Sequence, residues 1–200
     1  MTFDRFIAEQ LSNPSGIVGR LAAFLWNRRN ASLNDVVFDS LALNSTDRVL
    51  EVGFGGGYLL GRMSTIITNG LVVGVDISPA MVAFCERRYH PLIKKGALEL
   101  RCAQVESLPY PSEYFTKACT VNSIFYWQNV QRALSEFERV LTRDGFVVIC
   151  FTCKESLENR NFAKHVALYE AEEIEQMAIL CGLQVSTKHL FDRHRKFPSC

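Results

Sequence analysis

From residue 47 onward, short apolar runs alternate with segments whose apolar residues recur every three or four positions. The first pattern reads as strands, and the unbroken runs read as strands covered on both faces; the second reads as helices. Strands are predicted at Asp47–Val52, Leu71–Val75, Ala97–Ala103, Lys117–Val121, Phe146–Phe151 and Leu183–Leu190. A helix over Tyr58–Ile67 would bury Leu59, Met63, Ile66 and Ile67, and Asn69-Gly70 breaks it. A second starts at Pro79, carries Met81, Val82, Cys85 and Tyr89 on one stripe and ends at Pro91. The cleanest helical period joins Val130, Ala133, Leu134, Phe137, Val140 and Leu141, and Asp144-Gly145 then turns the chain into the fifth strand. Ala171–Cys181 is a further amphipathic helix, capped by Gly182.

Strands alternating with helices imply βαβ units, so the fold class is α/β, a mainly parallel sheet with helices on both faces. Right-handed crossovers put the C-terminal ends of the strands on one edge, where ligands bind. Before residue 47 the pattern is helical throughout. Ile17, Val18, Leu21, Ala22, Leu25 and Trp26 form one stripe, and Leu33, Val36, Val37 and Leu41 another. The chain therefore reads as a single domain, 1–200, with an N-terminal helical extension over 1–46 and the α/β core over 47–200.

Composition narrows the function. With 200 residues, 48% apolar, 22% charged and a net charge of +1, the chain has a real core and no bulk electrostatic grip on nucleic acid or anionic lipid. The opening MTFDRFIAEQ has no continuous apolar region, and no apolar run approaches the roughly 18 residues that span a bilayer. The expected location is cytoplasmic, with no membrane span. The seven cysteines sit mostly in apolar runs and read as small buried hydrophobes in a reducing compartment. Cys150 and Cys153 form a CxxC without a second ligand pair, so no metal is expected.

The most informative stretch is Val49-Leu-Glu-Val-Gly-Phe-Gly-Gly-Gly57, a strand end running into a helix start. A dinucleotide-binding GxGxxG fails in both registers, because positions 58 and 60 are Tyr58 and Leu60. The acid at the strand end, Glu51, would repel a pyrophosphate and suits a cofactor carrying positive charge. Asp76 ends the second strand, 25 residues on, where a carboxylate can accept hydrogen bonds from both ribose hydroxyls. The structural alternatives are that Glu51 caps a helix and that Asp76 only initiates the helix at Pro79.

These residues resemble the class I S-adenosylmethionine-dependent methyltransferases over roughly 47–190. RVLEVGFGGG is similar to the family's first motif, VVGVDISPAM to its second strand and following helix, VESLPYPSEYF to the loop after the third strand, and ERVLTRDGFVVI to the entry into the fifth. The resemblance implies a Rossmann-like fold and S-adenosyl-L-methionine as cofactor. It assigns cofactor binding to Glu51, Gly53, Phe54, Gly55, Asp76, Ile77, Met81 (near adenine), Gln104, Val105 and Asn122. Gln104 stands where many relatives have an acid, which shifts adenine recognition toward the backbone around Val105. The family's sheet ends in an antiparallel hairpin, but Phe191–Cys200 makes a poor buried strand. The hairpin is therefore expected to be incomplete, with a seventh strand absent or very short. The fifth-strand edge would then be covered by the tail, by a shifted sixth strand or by a second copy in a homodimer.

The expected activity is methyl transfer to a small-molecule acceptor entering near Asn122–Trp127. The Asn/Asp-Pro-Pro-aromatic motif of enzymes that methylate planar amino groups is absent there. Phe125, Tyr126 and Trp127 could build an acceptor pocket or pack into the core. No catalytic residue is assigned; Tyr126 and His165 are candidates, either His165 or His90 could act as a general base, and the alternative for both histidines is a surface or capping role. By family analogy the segment through Trp26 and Asn30 could form a lid. A methyltransferase acting on protein or RNA and a non-catalytic cofactor-binding protein stay as alternatives; a nicotinamide-dependent oxidoreductase is disfavoured by the glycine pattern.

Overall fold

The computed structural model describes residues 30–158, 163–164, 166–191 and 198–199. The predicted N-terminal helix at 17–26, with Trp26, and the candidate His165 lie outside the described residues. Five parallel strands form one sheet in the order β3-β2-β1-β4-β5: β1 (Arg48–Val52), β2 (Leu71–Asp76), β3 (Leu98–Cys102), β4 (Phe115–Val121) and β5 (Leu141–Cys150). The α-helices among the described residues are α1 (Ala31–Ser40), α2 (Tyr58–Ile66), α3 (Pro79–Arg88), α4 (His90–Lys94), α5 (Val130–Val140), α6 (Lys154–Leu157) and α7 (Ala171–Leu180).

The period-2 geometry of β1 splits the core in two. Val49 faces Leu33, Val37 and Leu41 from the α1 segment, Leu59, Leu60 and Met63 of α2, and Met81 and Cys85 of α3. Leu50 and Val52 face the opposite way, into the stripe of α5 and Ile174 and Ala178 of α7. Every α5 position named from the sequence is buried. In α2 the buried face is rotated from the expected one: Leu60 is fully buried and Ile66 is 41% exposed.

Three expectations about the C-terminal half are corrected. Asp144-Gly145 does not separate a helix from β5. The strand starts at Leu141, and residues 142–145 form a bulge between the pairs Phe115↔Leu141 and Lys117↔Phe146. Leu183–Leu190 alternates like a strand but only its last residue is in one: β6 (Leu190–Phe191) pairs antiparallel with β7 (Pro198–Ser199) in a separate two-stranded sheet. The seventh strand is thus two residues long, as its composition predicts. Among the described residues no strand pairs with the outer edge of β5. Gly182–Lys188 run beside that edge, and the two line a groove of about 1060 Å³. The third correction concerns cysteine: Cys85, Cys119 and Cys150 are buried as expected, but Cys102 is exposed and Cys153 is disulfide-bonded.

Candidate functional site

β1 and β2 end side by side, with Glu51 opposite Gly74 and Val52 opposite Val75. Alternation therefore places the side chains of Glu51 and Asp76 on the same face of the sheet, the face covered by α2 and α3. Both carboxylates are buried. Glu51 accepts a hydrogen bond from the backbone N–H of Leu60, one of the amides a helix start leaves without an intrahelical partner. Its Oε2 is buried and has no hydrogen-bond partner. Burial pushes the Glu51 carboxyl well above the usual range, and the neighbouring Asp76 adds to it. Burial also raises Asp76, offset in part by two backbone bonds. Its Oδ1 accepts from the Ser78 N–H (2.9 Å) and its Oδ2 from the Gly55 N–H (2.8 Å). No ion pair among the described residues involves either acid. Glu51 does cap α2, and Asp76 does brace the turn before α3. The capping roles account for part of each carboxylate's bonding and leave Glu51 Oε2 unsatisfied.

The glycine loop lies over this pair. Gly53 donates to Val75 O (2.7 Å), has φ +72° and passes so close to the turn after β4 that a Cβ would stand 2.5 Å from Ser123 Cβ. Only glycine satisfies both conditions. At Gly55 (φ +49°) the opposite holds: a Cβ would meet no heavy atom within 4 Å. The loop is therefore packed from below and open above. The Phe54 side chain points away from the opening, buried against Gly74 in the core, so any ligand contact there is left to its backbone.

The remaining named positions fall into two groups. Ile77 is 43% exposed beside Asp76, an apolar surface at the open edge. Gln104 is exposed at the entry to the 3-10 turn Val105–Ser107. Met81 and Val105 are buried, at 1% and 5% exposure, and support the site from within the core. Asn122 (φ +55°) follows β4 and ties strand ends together. Its N–H donates to Cys150 O (2.8 Å), its Oδ1 accepts from the Thr152 N–H (2.8 Å), and its Nδ2 donates to Asn30 Oδ1 (3.2 Å). Asn30 is thereby held against the strand ends, although it precedes α1.

Phe125 and Trp127 are core residues. Phe125 packs edge-on to Tyr126 and Phe151, and Trp127 Nε1 donates to Ser123 Oγ (3.1 Å). Tyr126 is half-buried, and burial raises its phenol well above the usual value. It stays protonated near neutral pH and is poorly suited to be a general base. His90 is exposed at the first residue of α4.

Two contributors carry no signal that pattern reading detects. Ser123 forms the wall behind Gly53. Glu106, buried in the loop after β3, accepts from the N–H groups of Gln128 (2.6 Å) and Asn129 (3.2 Å), clamping that loop to the start of α5. Among the described residues no group of three or more His, Cys, Asp or Glu is placed to hold a metal ion.

Comparison with known proteins agrees with this geometry. Residues 50–149 match the methyltransferase domain family. The chain is 28% identical over 136 residues to the uncharacterized methyltransferase YdaC of Bacillus subtilis, covering 68% of this chain and 73% of that protein. It is 28% identical over 172 residues to the ubiquinone/menaquinone biosynthesis C-methyltransferase UbiE of Coxiella burnetii, covering 82% of this chain and 66% of that one. It superposes on a SAM-dependent methyltransferase from Aquifex aeolicus with a TM-score of 0.68 at 20% identity, covering 93% and 92% of the two chains. The match spans half of the chain, and the chain belongs to the methyltransferase domain family as an S-adenosylmethionine-dependent methyltransferase.

Proposed function

We propose that this chain is a single-domain, cytoplasmic enzyme that transfers the methyl group of S-adenosylmethionine to a small-molecule acceptor, with the cofactor lying across Gly53–Gly57. The observation that carries the site is the buried, uncompensated acid pair: Glu51 Oε2 has no partner, and Asp76 is bonded to Gly55, where a Cβ would meet only open space. A cofactor bearing an ammonium and a sulfonium supplies the missing positive charge. Asp76 retains lone pairs for the ribose hydroxyls, and Ile77 offers an apolar face for the adenine. Gln104 and the backbone at Val105 border the adenine edge. The bound cofactor supplies an electrophilic methyl carbon; the protein's part is to align the acceptor and exclude water.

The acceptor is proposed to enter beside Asn122, with half-buried Tyr126 the least buried member of the aromatic trio. Relatives support a small acceptor: UbiE is named for quinone biosynthesis, and a protein of Arabidopsis thaliana, 32% identical over 99 residues, is a 2-methyl-6-phytyl-1,4-hydroquinone methyltransferase. That match covers only 28% of the plant protein. A relative from Halorhodospira halophila is named for a malonyl group on acyl-carrier protein, so a carrier-borne acceptor belongs in the same test.

The test combines binding and turnover. Gly55→Val should abolish S-adenosylhomocysteine binding by calorimetry while the protein keeps its folded circular-dichroism spectrum, because a branched side chain fills the open space over the loop. Unchanged affinity places the cofactor elsewhere. Labelled S-adenosylmethionine offered with hydroquinones, a metabolite extract and acyl-carrier protein should mark a small molecule; label on the carrier protein, or on RNA, overturns the acceptor class.

A further inference from the structure

Helix α2 carries a glycine, Gly61, in its interior, where glycine is the least favourable residue short of proline. The structure shows what it accommodates. A Cβ at Gly61 would lie 2.7 Å from Tyr89 Oη and 3.2 Å from the ring carbons Cε1 and Cζ. A Cβ at Gly57, one turn earlier, would lie 2.9 Å from Tyr89 Cε2 and 2.9 Å from Cys85 Sγ. Two glycines one helical turn apart thus form a slot that receives one aromatic ring from the end of α3. At the bottom of the slot the Tyr89 hydroxyl donates to Gly57 O at 2.7 Å, and Cys85 Sγ approaches Gly55 O at 3.5 Å.

These two contacts act on the peptides of the glycine loop. In a trans peptide the carbonyl and the following N–H point in opposite directions. Holding Gly55 O toward α3 therefore turns the Gly56 N–H away from it, and Gly57 O, which also accepts from the Gly61 N–H at 3.2 Å, is held from the α3 side by Tyr89. We propose that Tyr89 is a positioning residue for the cofactor: seated between Gly57 and Gly61, it fixes the orientation of the loop peptides on which S-adenosylmethionine is bound. This rests on the reading that the loop is the cofactor site. Burial raises the Tyr89 phenol above its usual value, so it remains a hydrogen-bond donor across the neutral range.

The test is a double-mutant cycle on Tyr89 and Gly61, read by the Kd for S-adenosylhomocysteine and by the melting temperature without ligand. Tyr89→Phe keeps the ring in its slot and loses only the hydroxyl; its Kd should rise about three- to tenfold. Gly61→Ala should weaken binding by at least as much when Tyr89 is present, because the new methyl meets Oη. In the Tyr89→Phe background the nearest atoms are ring carbons at 3.2 Å, so Gly61→Ala should add little to the Kd and should lower the melting temperature less than it does with Tyr89 present. A purely structural Tyr89 would change the melting temperature and leave Kd alone. Asp76→Ala is measured in parallel. If it loses affinity while Tyr89→Phe binds like wild type, the positioning role is overturned and the site stands. If both bind like wild type, the site and the positioning role fall together.

Discussion

Asp47 and Glu51 sit at opposite ends of the central strand, four residues apart, and both are buried. Asp47 is surrounded by donors: Lys117 Nζ at 2.7 Å, the Asn44 N–H at 2.7 Å and Thr116 Oγ1 at 2.9 Å. Burial alone would push its carboxyl up, but these bonds and the lysine charge outweigh burial and bring it below the usual range. Lys117 is itself completed by Ala42 O at 2.8 Å. At the other end, Glu51 and Asp76 lie side by side, no ion pair among the described residues involves either, and both are raised. The same strand thus shows a neutralised acid where the fold only has to hold together and an uncompensated pair where a ligand is expected. Leaving a buried polar group unsatisfied costs about 1–3 kcal/mol, so the second arrangement is a standing cost that a cationic ligand removes.

Three substitutions test that contrast. The largest effect is expected at the closed end. Asp47→Ala leaves Lys117 buried without its counter-charge and should cost about 3–5 kcal/mol of folding stability in urea titrations. Cofactor affinity of the folded fraction should stay near wild type. A loss under about 1 kcal/mol would make the clip ornamental. Next comes Asp76→Ala, which should cost about 1.5–3 kcal/mol of cofactor binding, the range for charge-assisted hydrogen bonds, and less than that in folding. A variant that loses stability but binds normally would turn Asp76 into a second Asp47.

The smallest effect concerns pH. Because the folded pKa of Glu51 is raised, its contribution to stability is complete below the unfolded value and is lost as pH rises through the folded one. The neutral amide introduced by Glu51→Gln does not titrate and has no such loss. The stability of Glu51→Gln relative to wild type should therefore climb as pH rises above the ordinary glutamate range. Its cofactor affinity should fall, since a neutral amide cannot balance an ammonium. A stability difference that stays flat with pH would show that Glu51 is not held against its charge.

The contrast also marks what could be read from the chain. Val49, Leu71–Val75 and the α5 stripe announce themselves because local period and burial coincide. The glycine loop and Asp76 were legible for a similar reason: strand, acid and glycines are contiguous or one βαβ unit apart. The Asp47–Lys117 clip was not, because its partners lie 70 residues apart and a lysine in an apolar strand carries no local sign of what it meets. Gly61 was equally silent; a helical glycine signals a close approach without naming Tyr89. Leu183–Leu190 misled in the other direction. Alternation is necessary for a half-buried strand, but pairing also needs a neighbour in register, and β6 begins only at Leu190.

The strand order has a kinetic consequence. β1 pairs with β2 in the register Val49↔Val72 and with β4 in the register Val49↔Lys117, so its two neighbours arrive 23 and 68 residues later. With every pairing of the five-stranded sheet parallel, no two-residue hairpin can nucleate it, and each ladder waits on closure of a long loop. Folding should be slow for a chain of this size, with a high contact order and an early species built from β1, α2 and β2 alone. That species already contains Glu51, the glycines and Asp76, but the wall at Ser123 arrives only when β4 docks. Glu51 and Asp76 are therefore brought together before the pocket has its second side, and cofactor added during refolding should bind only in the last phase.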